Sequence, residues 1–385
     1  MALWQNFISL KKIPLMKTRL LALAFSVISL ASTAQTTKTI QVGGVTRQYK
    51  EYVAGSYTGT NPVPLVICLH GLGDNMTNFS GIGMHLLSDS AQFVTLYPQA
   101  MNSAYGTAWN SGASYMGMVL NPTVDDIGFI SALIDSTAAL YNIDLTRVYV
   151  TGFSMGGFMA NRLACQLGTR ICAIASVAGT IGTSCTCSPF RPIPVAHFHG
   201  TADGTVAYTG NAFGNDAEAL VSFWADFDNC DTPAVHTALP DIEADSMTVD
   251  LYQYFNGDQG SEVWFYKVNG ADHVWLVPGA NDISYTIEIW NFFKRFQHTT
   301  LSVEEANEPR LSVYPNPATD VLQVNGFNGA DRGILSVMDL SGKTIMQGCF
   351  ENGFTSLKVS QLPAGIYLLQ LSGDNVFETI RFMKE

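Results

Sequence analysis

Apolar and polar positions follow two rhythms along this chain, and the switches between them mark its elements. Residues 35–60 are largely polar with spaced apolar positions and read as early strands. Residues 63–69 and 93–97 are short apolar runs, the first closed by Gly71, Gly73 and Asp74 and the second by Pro98, as expected of strands buried on both faces. After Thr123 the spacing lengthens to that of a helix, with Ile127, Ile130, Ile134, Ala138 and Tyr141 on one side and Thr123 and Asp126 spaced as a capping box. Residues 147–151 then predict a strand, 155–167 a helix, 171–178 and 193–199 two strands, and 263–268 a late strand. A closing helix follows over 283–296, with Ile283, Ile287, Trp290 and Phe293 or Phe296 turned inward. Strands alternating with helices predict one α/β domain over 35–298, a mostly parallel sheet flanked by helices.

The rhythm changes again near the C-terminus. Residues 299–310, with Glu304, Glu305, Asn307, Glu308 and Pro309, read as an acidic linker. Beyond it, 311–385 carries short alternating runs separated by turn signals such as Tyr314-Pro315-Asn316-Pro317, Ser341-Gly342 and Pro363-Ala364-Gly365. That pattern predicts a small all-β sandwich with no catalytic constellation of its own. At the other end, Lys17 and Arg19 precede an apolar run over 20–30 and the small residues Ala31-Ser32-Thr33-Ala34, so 1–34 reads as a secretory signal peptide, with Met16 an alternative start. The run is too short for a stable membrane span.

Composition adds limits. The 385 residues are 47% apolar and carry a net charge of −12; residues 1–34 hold four basic and no acidic side chains, which leaves −16 on the exported part. A body this acidic is repelled by nucleic acid and by anionic membranes. Seven cysteines (Cys68, Cys165, Cys172, Cys185, Cys187, Cys230 and Cys349) in an exported chain point to disulfides with at least one thiol left over. Cys68, in an apolar strand, suits a packed thiol, and Cys185 and Cys187 are expected to pair elsewhere, with Cys230 or Cys172. No metal-ligand spacing accompanies them, and no metal or organic cofactor is expected.

The chemistry centres on Gly152-Phe153-Ser154-Met155-Gly156. Glycines two before and two after a serine allow a sharp strand-to-helix turn that lifts its hydroxyl clear, and here the segment lies between a predicted strand and a predicted helix. The general base and its orienting acid should follow as Asp, then His. His197 and His199 fall in or at the end of a strand, His236 in a loop region, and His298 near the linker. His273 follows the late strand and precedes the last helix, where a base reaches the top of the sheet. Asp203 lies on the loop directly after the strand ending at His199, whereas Asp226, Asp228 and Asp231 belong to a helix-like stretch. An oxyanion hole would come from the N–H of Met155 and, in His70-Gly71-Leu72-Gly73, that of Leu72, with Gly71 as the other choice. Trp109 and Trp275 are candidate walls of a substrate pocket.

Residues 45–297 resemble the polyhydroxybutyrate-depolymerase-like extracellular esterases, α/β-hydrolases related to the feruloyl and acetylxylan esterases of carbohydrate esterase family one. The resemblance rests on Leu69-His70-Gly71, Val124-Asp125-Asp126-Ile127-Gly128-Phe129-Ile130, the segment 152–157, His199-Gly200-Thr201-Ala202-Asp203 and Gly270-Ala271-Asp272-His273-Val274-Trp275. It implies a serine esterase with Ser154, Asp203 and His273 as its triad, acting on feruloyl or acetyl esters of polysaccharide or on polyhydroxyalkanoates. Two departures stand out: Asp272 precedes His273 where such relatives carry Gly-Gly-His, and no cysteine lies near Gly257 to partner Cys230. Residues 311–385, through Tyr314-Pro315-Asn316-Pro317, Leu362-Pro363-Ala364-Gly365-Ile366-Tyr367 and Lys384, resemble a type IX secretion C-terminal sorting domain, which implies that secretion machinery as a partner and an extracellular or cell-surface destination. A peptidase of the same fold and a non-catalytic glycan-binding surface protein are the competing readings.

Overall fold

The computed structural model describes residues 35–298, 312–325, 332–339, 343–351, 354–373 and 376–385. The expected signal peptide and linker lie outside these residues. The chain divides into two compact units, Met1–Phe296 and Gln297–Glu385.

The first unit is built on a ten-stranded sheet. In chain order its strands are β1 (Thr36–Val42), β2 (Val45–Val53), β3 (Val63–Leu69), β4 (Val94–Pro98), β5 (Ile143–Phe153), β6 (Ala173–Val177), β7 (Val195–Gly200), β8 (Val235–Ala238), β9 (Thr248–Tyr254) and β10 (Val263–Asn269). They lie side by side as β1-β2-β4-β3-β5-β6-β7-β10-β9-β8. The six from β4 to β10 run parallel, with an antiparallel pair added at each edge. Strands β3, β4, β6 and β7 are buried at every position, because helices cover both faces. Helices Asp126–Leu140, Met155–Leu167 and Ala217–Phe227 pack on one face with Ile67, Val150 and Phe265. Helix Tyr285–Phe293 packs on the other with Val66, Ala196 and Tyr266.

Several expectations are corrected. Helix Asp126–Leu140 is capped by Asp125, whose side chain accepts from the Gly128 N–H at 2.7 Å. The expected Thr123/Asp126 box does not form, because Asp126 is buried in an ion pair with Arg47 at 2.7 Å. The inward face of helix Tyr285–Phe293 is Tyr285, Ile289, Phe292 and Phe293; of the expected inward residues Phe293 and Phe296 are buried and Ile283 and Trp290 are partly buried against the same core, while Ile287 is exposed. Strand β8 is exposed at all four positions and so has no apolar signature, yet it carries His236, which was expected in a loop. Cys187 pairs with Cys165, 22 positions earlier on helix Met155–Leu167, not with Cys172 or Cys230. Cys68 is a buried thiol, and the sulfur of Cys230 lies against Gly257, where no cysteine stands.

The second unit is an antiparallel series of seven strands. In order across the sheet they are Ser312–Tyr314, Val321–Asn325, Phe354–Lys358, Thr344–Glu351, Arg332–Met338, Gly365–Gly373 and Val376–Lys384. Leu322, Val324, Leu335, Val337, Leu369 and Phe382 meet in its core. A bridge between Ala318 and Lys384 brings the last strand back to the first turn.

Candidate active site

Ser154 follows directly on β5 with φ +54° and ψ −121°. A non-glycine residue held there is strained, and the strain persists only where its surroundings over-determine it. They do so here. The Ser154 N–H donates to Val177 O at 2.8 Å, and helix Met155–Leu167 begins at the next residue. Glycine is required on both sides: a Cβ on Gly152 would run into the Gly156 carbonyl, and one on Gly156 into the Leu69 carbonyl. The first N–H groups of a helix have no acceptor within it, so that of Met155 is available beside the Ser154 hydroxyl.

The loop after β3 lies against this turn: a Cβ placed on Gly71 would come within 3.4 Å of the Ser154 Cβ. His70, buried, orders it. Its Nε2 accepts from the Ala100 N–H at 3.1 Å, so Nδ1 carries the proton and donates to Gly71 O at 2.8 Å. Burial holds the His70 imidazole below its ordinary pKa, in the neutral form this pattern needs. Across a trans peptide C=O and N–H point opposite ways. Anchoring the Gly71 carbonyl on His70 therefore turns the Leu72 N–H away from the core. Trp109 supports the loop from behind: it is fully buried and its Nε1–H donates to His70 O at 2.9 Å.

Asp203 and His273 stand on the loops after the adjacent parallel strands β7 and β10. The Asp203 Oδ1 accepts from the N–H groups of Thr205 and Val206, both at 2.8 Å. Its Oδ2 lies 2.8 Å from His273 Nδ1. A carboxylate only accepts, so Nδ1 carries the imidazole proton and Nε2 presents its lone pair. The Phe153 ring packs 4.7 Å from the His273 ring. Asp272 ties the two loops together, its Oδ1 accepting from Gly204 N–H at 3.1 Å and His273 N–H at 2.7 Å.

Ser154, Met155, Leu72 and His273 line one cavity of about 320 Å³. Its remaining walls are mostly apolar, with Ala113, Tyr115, Phe153, Phe158, Val206 and Phe213 among them. Tyr115 and Phe213 stack at 5.7 Å with their planes 20° apart. Neither Trp109 nor Trp275 is among the lining residues; Trp275 donates from Nε1 to Thr286 Oγ1 at 3.1 Å and packs edge-on against Phe79. The walls come from five separate stretches of the chain, whose aromatics carry no periodic signal in the sequence. His70 and Asp272 were visible in the motifs, but their contacts were not. Among the described residues no group of three or more His, Cys, Asp or Glu is arranged to hold a metal ion, and no helix is long and apolar enough to cross a membrane.

A serine on a strained strand-to-helix turn, with loops from neighbouring parallel strands meeting at the carboxyl end of the sheet, is the arrangement of an α/β hydrolase. The chain belongs to the alpha/beta hydrolase fold family, whose model matches residues 64–262. Residues 312–385 match the secretion system C-terminal sorting domain. Among curated relatives, the chain is 29% identical over 238 residues to the bifunctional acetylxylan esterase/xylanase XynS20E of Neocallimastix patriciarum, covering 60% of this chain and 31% of that protein. It is 27% identical over 256 residues to feruloyl esterase B of Piromyces equi, covering 62% and 43%. It is 27% identical over 276 residues to feruloyl esterase D of Neurospora crassa, covering 68% and 86%. The chain thus spans less than half the length of the first two.

Proposed function

We propose that this chain is an exported serine carboxylic-ester hydrolase with Ser154 as nucleophile, His273 as general base and Asp203 as its orienting acid. Ser154 Oγ attacks the ester carbonyl while its proton passes to His273 Nε2. The tetrahedral oxyanion is received by the N–H groups of Leu72 and Met155. Collapse of this intermediate expels the alcohol, which takes its proton from His273 and leaves an acyl group on Ser154. Water, activated by the same imidazole, then releases the acid. The observation that carries this reading is the 2.8 Å contact between His273 Nδ1 and Asp203 Oδ2, on the wall of the cavity that Ser154 shares.

The apolar walls and the stacked Tyr115–Phe213 pair support a bulky planar acyl group of the feruloyl kind. An acetyl group would leave most of that space unfilled. The curated relatives include enzymes of both names, and the depolymerase resemblance keeps hydroxyalkanoate esters in the comparison. The match over 312–385 supports delivery to the cell surface or beyond by the type IX machinery.

The test is turnover of methyl ferulate, acetylated xylan and hydroxybutyrate oligomers by the purified protein. Methyl ferulate should be the best of the three, and Ser154→Ala should lower its kcat by roughly 10⁴-fold or more. Undiminished turnover by Ser154→Ala would sink the mechanism, and cleavage of peptides in preference to esters would turn the reading to a peptidase. In cells, deletion of 312–385 should keep the protein inside the outer membrane.

A further inference from the structure

Beneath the loop that carries Asp203, the sheet buries three polar side chains that the reaction scheme leaves unused. Ser176, His197 and His199 are each at most 1% exposed. Ser176 and His197 face each other in register on β6 and β7, and His199, two residues on, shares the face of His197. Ser176 Oγ lies 2.8 Å from His197 Nδ1, His197 Nε2 lies 3.0 Å from His199 Nδ1, and His199 Nε2 lies 2.8 Å from Val206 O. The same Nε2 is 3.5 Å from Asp203 Oδ2.

The far end of this series fixes every proton in it. A carbonyl oxygen only accepts, so His199 carries its proton on Nε2. Burial lowers the pKa of both imidazoles, and His197 is lowered further by His199, so both are neutral. Neutral His199 accepts at Nδ1 from the His197 Nε2–H, and His197 Nδ1 is left to accept from the Ser176 O–H. All three donors then point toward Asp203. The surroundings keep this pattern: the Phe265 ring stacks 5.7 Å from His197, Tyr208 packs edge-on to His199, and the titratable groups acting on His199 are Asp203, His273 and Asp216. As core filling this is unfavourable, since three desolvated polar groups must all be satisfied where apolar side chains would need no partner.

We infer that Ser176, His197 and His199 are positioning residues that form a directional hydrogen-bond relay holding Asp203 against His273. The anchor is the Val206 carbonyl. It fixes the turn whose Thr205 and Val206 N–H groups grip Asp203 Oδ1, which leaves Oδ2 aimed at His273 Nδ1. Val206 also lines the cavity, so the same anchor steadies one wall of the acyl site. No proton travels along the relay, and Ser176, fully buried, never meets substrate. The inference rests on the triad reading above, so its test has one arm that needs no turnover.

That arm is nitrogen-15 spectroscopy of the histidine-labelled full chain. His197 and His199 should both show the neutral Nε2–H tautomer at neutral pH, where the hydrogen-bond pattern assigns it. An Nδ1–H tautomer or an imidazolium at either residue overturns the relay. The second arm is kinetic, on a short-chain aryl ester. His199→Phe and Ser176→Ala should lower kcat by about 100-fold and 10-fold with KM within about twofold, as expected when a reacting group is misaligned and not lost. The acidic limb of kcat/KM should move to lower pH, because a loosened Asp203 supports the imidazolium less well. His199→Gln, whose amide N–H reaches toward Val206 O, should recover most of kcat. Folded variants that keep the parent's kcat and acidic limb, with only a lower melting temperature, reduce the three residues to core packing and overturn the inference. Where His199→Phe does not fold, Ser176→Ala, which removes one oxygen, decides by the same readouts. A parent chain inert on every ester sinks the esterase reading, while the tautomers still decide the relay.

Discussion

Asp272 is a single exposed carboxylate placed where it can matter to catalysis without touching substrate. Its Oδ1 accepts N–H groups from both the Asp203 loop and the His273 loop, and those two bonds, Gly204 first, hold its pKa below the ordinary carboxylate value. A carboxyl whose folded pKa is lowered keeps its contribution above the ordinary value and loses it as pH falls through the lowered one. The tie is therefore intact at neutral pH and opens only in acid. Asp272→Asn keeps an oxygen acceptor and should leave kcat within about threefold, whereas Asp272→Ala should lower it about 10-fold, the scale of a small misalignment at the reacting centre. Steady-state kinetics on a short ester checks this; equal losses in both variants would mean that charge, and not the two hydrogen bonds, is what Asp272 supplies.

At the scale of elements, the turn between β5 and the helix Met155–Leu167 is set by close backbone passage. Gly156 lies against the carbonyls of Leu69 and His70, at the start of the candidate oxyanion loop. A methyl group there cannot be absorbed by a flexible side chain. It pushes helix and β3 apart, so Gly156→Ala should destabilise the unit by about 1–3 kcal/mol or more, in line with overpacking, and reduce turnover as the Leu72 N–H shifts. Gly81 is the control: nothing lies within 4 Å of a Cβ placed on it, so Gly81→Ala should leave the denaturant midpoint unchanged. A Gly156→Ala protein as stable and active as the parent would refute the close packing of strand and helix.

For the molecule as a whole, the dependence of stability on pH carries one strong signature. Asp228 is fully buried, with Ile193 N–H on Oδ1 at 3.2 Å and the Ser261 hydroxyl on Oδ2. Burial outweighs these bonds and pushes its pKa up to about 7. The folded state thus holds a proton that the unfolded chain has released above its ordinary carboxylate value. The stabilisation is fully present below that value and is lost as pH rises through about 7. Urea midpoints should fall as pH rises from about 4 to about 7 and level off above it, the window this linkage sets. Asp228→Asn, permanently neutral, should flatten that fall; the same slope in the variant would assign it to other groups.

The chain's local chemistry was enough to nominate Ser154, Asp203 and His273 as the proposed triad, because a turn that needs glycines, a base after a late strand and an acid after a middle one are constraints on neighbours in sequence; the structure adds the contact of His273 with Asp203 and the cavity that Ser154 and His273 line. The parallel core strands were legible for a similar reason: segments buried on both faces must be apolar throughout. Where an element meets different surroundings on its two sides, the sequence was silent or misleading. Strand β8 has no buried position, the closing helix turns Ile289 and Phe292 and not Ile287 to the sheet, and Asp126 is an ion-pair partner of Arg47 where a cap was expected. Tertiary structure alone decided the contacts between residues far apart in the chain: Cys165 with Cys187, Tyr115 stacked on Phe213 in the cavity wall, and the buried line from Ser176 to Asp203. Their energy comes from distances that exist only once the parallel strands have been laid side by side.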